Sequence, residues 1–202
     1  MAHANTVHHS PPPATAEHES LRLEPIEKPR GLLLGLVYKM ARKQFGTTPD
    51  AIQVIFPRVP GMLRFTMAIQ KFGKRFPLDE ELRELVHMQV SAINGCGFCM
   101  DLGRMMAVKE DRSLDKLNAV PEYKTSSLFT DRERAAIAYA EDVTLHKSPS
   151  DDTFATLREH FTDDEVAQLT VFIALVHFFN MQNVPLGIGS AGLCAIAQAR
   201  KA

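Results

Sequence analysis

Residues 79–107, DEELRELVHMQVSAINGCGFCMDLGRMMA, constrain the fold more than any other stretch. Leu82, Leu85, Val86, Val90 and Ile93 recur with a period near that of an α-helix, so this segment predicts an amphipathic helix with one face buried. Pro77 breaks the chain just before it, Asp79 is placed to cap it, and Asn94-Gly95 ends it. A second helix is expected to start around Cys96, so two helices follow one another with the C-G-F-C pair, Cys96 and Cys99, at their junction.

The remaining punctuation is also helical. Gly31–Phe45 has apolar residues at helical spacing and ends in Arg42 and Lys43, as the helix dipole favours. Thr48-Pro49 reads as an N-cap followed by a first-turn proline, opening a short helix that Pro57 ends. Pro60–Phe72 predicts a further helix, and Ser113 caps a short one before Pro121. Thr130-Asp-Arg-Glu133 and Thr162-Asp-Asp-Glu165 are capping boxes. The first opens a helix to about His146 and the second opens the last long helix. Ser150 caps a helix between them that runs through His160, and Ala191–Ala202 predicts a loose terminal helix. No alternating Val, Ile or Thr run bounded by turn residues occurs. The expected fold is all-α: a single domain over 21–202, made of an N-terminal helical extension (21–75) and a core carrying the dithiol (76–187). Residues 1–20, rich in His, Pro and Ala, read as a disordered tail whose His3, His8, His9 and His18 have no structural role.

Composition narrows the function classes. The 202 residues carry 23 basic and 24 acidic side chains, a formal net charge of -1, which gives no electrostatic footprint for nucleic acid. The N-terminus lacks the apolar segment of a signal peptide. The longest apolar run, Leu169 to Phe179, is about half of a membrane crossing. These features predict a cytoplasmic protein without a nucleic-acid or membrane partner. Three cysteines are too few for a secreted disulfide framework, and in a reducing compartment a C-x-x-C is redox-active or metal-binding. Zinc would need two more ligands, and no second C-x-x-C or H-x-x-x-H supplies them. No Gly-rich phosphate loop points to a bound cofactor, so none is expected.

Cysteines at a helix start face unpaired N–H groups that favour a thiolate, the nucleophile towards a peroxide oxygen or a disulfide sulfur. Helix-start logic alone makes Cys96 the more exposed of the two. Glu84 lies twelve residues before Cys96, at the edge of the apolar stripe. It is either a solvated edge residue or a buried carboxylate that accepts protons. His87, three residues further on, shares its helix face. His87 is an ordinary helix-face residue or a replacement base, and His177 is a bonded core histidine or a second such base. Asp101 would oppose thiolate formation if it faced Cys99. Cys194 reads as a free thiol. The methionines around the central helices read as core, interface or lining of an apolar pocket.

A glutamate, eleven residues and then Cys-x-x-Cys, here E-LVHMQVSAING-C-GF-C, resembles the carboxymuconolactone decarboxylase superfamily and within it the AhpD-like alkylhydroperoxidases. FTDDEVAQLTVFIALVHFFNMQN is similar to the closing helix of that family. The resemblance implies an AhpD-like helical bundle that assembles as a homo-oligomer. It further implies Cys99 as the sulfur attacking peroxide, Cys96 as the one that resolves the sulfenic acid, and Glu84 as part of a proton relay. Two positions depart from the family pattern: Gly103 stands where the relay histidine is expected, and Met181 where arginine commonly follows Asn180. The implied function is a thiol-dependent peroxidase or disulfide oxidoreductase. Its substrate would be a small organic hydroperoxide or disulfide, and its electrons would come from a thioredoxin- or lipoyl-type thiol donor. The alternatives are a decarboxylase-like enzyme acting on a small organic acid, and a redox-sensing or vestigial helical oligomer.

Overall fold

Capping chemistry sets the helix boundaries. The computed structural model describes residues 21–73 and 75–201, so the tail assigned to 1–20 and its histidines lie outside the described residues. Ten α-helices follow in order: α1 (Leu32–Phe45), α2 (Asp50–Ile55), α3 (Met62–Gly73), α4 (Glu80–Ile93), α5 (Gly97–Lys109), α6 (Leu114–Asn118), α7 (Asp131–His146), α8 (Asp151–His160), α9 (Asp163–Asn183) and α10 (Leu193–Ala199). Asp79 Oδ1 accepts from Leu82 N at 3.0 Å, and both capping boxes form, on Thr130 with Glu133 and on Thr162 with Glu165. No strand is present among the described residues.

One expected boundary shifts. Thr48 does not cap α2: Pro49 occupies the cap position and its carbonyl accepts from Ile52 N and Gln53 N, so the helix begins at Asp50. The Thr48 side chain instead sits 3.5 Å from an Arg42 guanidinium nitrogen.

The central helix is buried on two faces rather than one. Leu82, Val86 and Val90 join Ala136, Tyr139, Ala140, Leu157, Leu169, Ile173 and Val176 in one apolar cluster. Leu85 and Met88 point into a second with Ala107, Leu117, Val120, Tyr123 and Ile137. α4 therefore lies between α5, α7 and α9, and burying it removes most of its apolar area from water at about 25 cal/mol per Å².

The helix α9, with the turn that follows it, is long and apolar enough to span a membrane by length and composition, beyond what its uninterrupted apolar run suggested. One face, Val166, Leu169, Ile173 and Val176, packs in the core, while Val171 and Met181 on the other are exposed. The N-terminal helices also leave apolar side chains in the open, including Leu32, Leu36 and Met40 on α1 and Phe65 and Met67 on α3.

Asp101 does not face the dithiol. Its Oδ2 accepts from Ser190 Oγ, Ala191 N and Leu193 N at 2.9, 3.1 and 2.8 Å, and its Oδ1 from Cys194 N at 2.9 Å. It thus fastens the start of α10 to α5. Asp101→Ala leaves those N–H groups without a partner, at about 1–3 kcal/mol for each one that stays buried. We expect a lower urea midpoint and faster amide exchange in α10 than in α7. Unchanged exchange at Leu193 and Cys194 would contradict this role.

Candidate active site

The Asn94-Gly95 turn between α4 and α5 is made possible by Gly95, whose φ of 70° lies in the left-handed region that L side chains avoid. It delivers Cys96 to the N-cap position of α5, where its Sγ accepts from Cys99 N at 3.3 Å. The two cysteines are joined as a disulfide with Cα atoms 5.3 Å apart, and both are almost fully buried. Helix-start logic favoured Cys96 as the accessible sulfur, but Cys99, and not Cys96, lines a cavity.

That cavity has a volume of about 550 Å³. Its walls come from the N-terminal helices (Leu36, Met40, Phe45, Ile52, Phe56, Leu63) and its floor from Phe98, Cys99, Phe179, Asn183 and His87. Among the described residues, His87 is the only titratable side chain besides Cys99 on this surface, and no Asp, Glu, Lys or Arg contributes to it. The N-terminal extension thus supplies most of the wall above the sulfur.

Gly103, one helical turn beyond Cys99, explains how His87 reaches the floor. A Cβ at position 103 would lie 3.2 Å from His87 Nδ1 and 3.2 Å from Met88 Sδ. The imidazole of His87, from α4, therefore fills the space that a side chain at position 103 on α5 would need. Burial pushes the His87 pKa down to about 4, so the ring is uncharged at neutral pH.

Glu84 does not touch either sulfur. It is bound to Arg112 at 2.5 Å, and Arg112 also pairs with Glu110. Its pKa rises to about 7: burial, with help from Glu110, Glu80 and Glu81, outweighs the opposing pull of Arg112. It is therefore the buried carboxylate of the two sequence readings, one helical turn from His87 rather than beside the dithiol.

Sequence reasoning missed the amides. Asn180 Nδ2 donates to Cys99 Sγ at 3.0 Å, and Asn183 Nδ2 reaches Cys99 Sγ at 3.5 Å and Cys96 Sγ at 3.7 Å. Asn180 and Asn183 lie three apart and buried at the end of the mostly apolar second half of α9, a pattern that marks polar groups in need of partners. Met181, the position lacking arginine, is exposed. His177 is a partly buried, hydrogen-bonded histidine, held by Asn94 and Thr144. Cys194 is free and partly buried at the start of α10.

A helical hairpin with a C-x-x-C at its turn and a long closing helix above it defines a class, and comparison with known proteins agrees. The carboxymuconolactone decarboxylase family model matches residues 60–142. The uncharacterized Escherichia coli protein YnjA is 36% identical over 128 residues, 63% of this chain and 70% of the relative. An Agrobacterium tumefaciens structure of unknown function, provisionally placed as an antioxidant-defence protein AhpD, superposes with a TM-score of 0.61 at 28% identity, covering 65% of this chain and 92% of that one. The debrominase Bmp8, solved with 2,3,4-tribromopyrrole, shares the fold with a TM-score of 0.72 at 19% identity, over 87% of this chain and 95% of its own. The chain belongs to the carboxymuconolactone decarboxylase family and has the AhpD-like helical fold.

The two shifted groups act on stability in opposite senses. His87 has a folded pKa of about 4 against an ordinary 6.5, so the unfolded chain binds the extra proton and stability falls as pH drops from 6.5 towards 4. Glu84 has a folded pKa of about 7 against an ordinary 4.5, so the folded chain binds the extra proton and stability falls as pH rises from 4.5 through 7. Each swing is at most about 3 kcal/mol. Over the shared window they largely cancel. We expect His87→Leu to unmask a stability that falls with rising pH, and Glu84→Gln to unmask one that falls with acid. Urea midpoints measured across this window check it, and parallel pH profiles for the two variants would contradict it.

Proposed function

We propose that this protein is a thiol-dependent peroxidase that acts in the cytoplasm on a neutral, apolar organic hydroperoxide. The observation that carries this is that Cys99, bonded to Cys96, and the neutral imidazole of His87 both line one cavity to which the described residues bring no charged side chain. In the reduced protein, His87 receives the Cys99 proton. The thiolate attacks the outer peroxide oxygen, the O–O bond breaks, and His87 returns the proton to the departing alkoxide, giving an alcohol and a Cys99 sulfenic acid. The Cys96 thiol then displaces water from that sulfenic acid and the disulfide forms. Two electrons and two protons from a small thiol or a thioredoxin- or lipoyl-type donor restore the dithiol. Glu84, with a pKa of about 7, is the proton reservoir one helical turn along α4.

The cavity disfavours the decarboxylase-like alternative, because a small organic acid would bring a carboxylate to a surface without a cation. Reductive dehalogenation is the second reading, favoured by the aromatic lining of Phe45, Phe56, Phe98 and Phe179. There a dithiol would supply two electrons, releasing bromide and a proton as the ring carbon gains hydrogen. Homo-oligomerisation would cover the exposed apolar residues of α1 and α3.

Two variants test the peroxidase assignment. Cys99→Ser should abolish hydroperoxide-dependent thiol oxidation, a loss of at least about a hundredfold. Cys96→Ser should stop after one equivalent of peroxide, with a Cys99 sulfenic acid trappable by dimedone. Equal turnover by wild type and Cys99→Ser would remove the proposal. Turnover of a bromopyrrole but of no hydroperoxide would favour the second reading.

A further inference from the structure

Behind the dithiol, away from the cavity, a chain of side-chain hydrogen bonds leads from Cys99 into the core. Asn180 Nδ2 donates to Cys99 Sγ at 3.0 Å. Asn180 Oδ1 accepts from Asn94 Nδ2 at 2.9 Å, and the same Asn94 nitrogen lies 3.1 Å from His177 Nδ1. His177 Nε2 lies 3.2 Å from Thr144 Oγ1. Four helical segments contribute: the start of α5, two turns of α9, the cap of α4 and α7.

Donor and acceptor roles along this chain follow from chemistry. An amide nitrogen has two hydrogens and no acceptor lone pair, so Asn94 can bind both neighbours only by donating to each. His177 Nδ1 must then be the acceptor, which places the ring hydrogen on Nε2, facing Thr144. Asn94 held in this way keeps Asn180 Oδ1 engaged. The Asn180 amide is thereby turned so that its N–H, and not its oxygen, meets the sulfur. With the amide reversed, an oxygen lone pair would face Cys99 and oppose a thiolate. The second Asn180 hydrogen goes to Ser91 Oγ at 3.3 Å, which locks the same orientation.

We propose that His177 is a positioning residue for Cys99: through Asn94 it fixes the Asn180 amide as a donor to the sulfur and so makes the Cys99 thiol more acidic. It touches neither substrate nor sulfur. The inference rests on Cys99 being the reacting sulfur, as proposed above, but it concerns thiol acidity and can be read without any substrate.

The experiment is an ultraviolet titration of the thiolate in the full-length chain carrying Cys96→Ser and Cys194→Ser, so that only Cys99 titrates. A hydrogen bond to a charged group justifies an expected change of about tenfold in acidity. His177→Leu should lower the acidity of Cys99 by about that factor, and Asn180→Ala by a similar one. Combining the two should add nothing further. His177→Asn, whose Oδ1 falls near the position of Nδ1, should restore the wild-type value. If His177→Leu fails to fold, Asn94→Ala reads the same link. An unmoved Cys99 titration in a folded His177→Leu or Asn94→Ala protein overturns the proposal, as does His177→Asn behaving like His177→Leu, or additive losses in the double variant. A protein that reduces no hydroperoxide but shows these shifts keeps this inference and loses the peroxidase. Normal turnover with an unmoved titration does the reverse.

Discussion

Where α5 crosses α4, Gly103 presents only a hydrogen, and the His87 imidazole takes the volume that any larger residue would claim. Much of the site depends on that close approach. It lets the two helices of the hairpin pack closely just beyond the dithiol, and it brings a titratable ring from α4 to the cavity that Cys99 also lines. Helix geometry does the rest: Cys99 and Gly103 are four apart and so share a face of α5, and the ring lodged at one is a neighbour of the other. The glycine that leaves α5 without a histidine makes room for one from α4.

Two environments meet at the sulfur. On the cavity side, apolar walls drawn from α1, α2 and α3 and the absence of any formal charge disfavour ions and keep His87 neutral. Asn180 on the core side and Asn183 at the cavity edge aim N–H groups at the sulfurs. A thiolate formed here would be stabilised by dipoles rather than by a cation, an arrangement that needs no reorganisation when charge develops. The burial that makes the site selective would also make bare ionisation costly, so the amides and the neighbouring base are complementary parts of one solution.

Sequence carried the helices well because each start has its own local signal: Asp79, Ser113, Thr130, Ser150 and Thr162 all cap as their spacing indicates. Thr48 failed because the proline after it took over the cap position with its own carbonyl. The dithiol and its junction were legible for the same local reason. What could not be read was long-range. Asp101 sits next to the site in sequence yet turns away to hold α10, and Glu84 is claimed by Arg112, a residue 28 positions away. Asn180 and Asn183 are more than eighty residues from the cysteines they bind. Most of the cavity wall comes from α1, α2 and α3, far along the chain from the dithiol motif. Local chemistry announces itself in sequence, whereas partnership across the bundle is decided by packing.

The chemistry proposed for Cys99 requires His87 to do from α4 what a histidine on α5 would do. Transplanting the ring tests this most directly, by measuring the rate at which reduced protein is oxidised by an organic hydroperoxide. His87→Ala alone should slow Cys99 oxidation by about a hundredfold, the scale of a lost general base. Adding Gly103→His to that variant, where the His87 ring is gone and the flexible Met88 thioether can shift aside, should recover much of the loss. If His87→Ala reacts as fast as the wild type, the imidazole on the cavity floor is packing and the account is wrong.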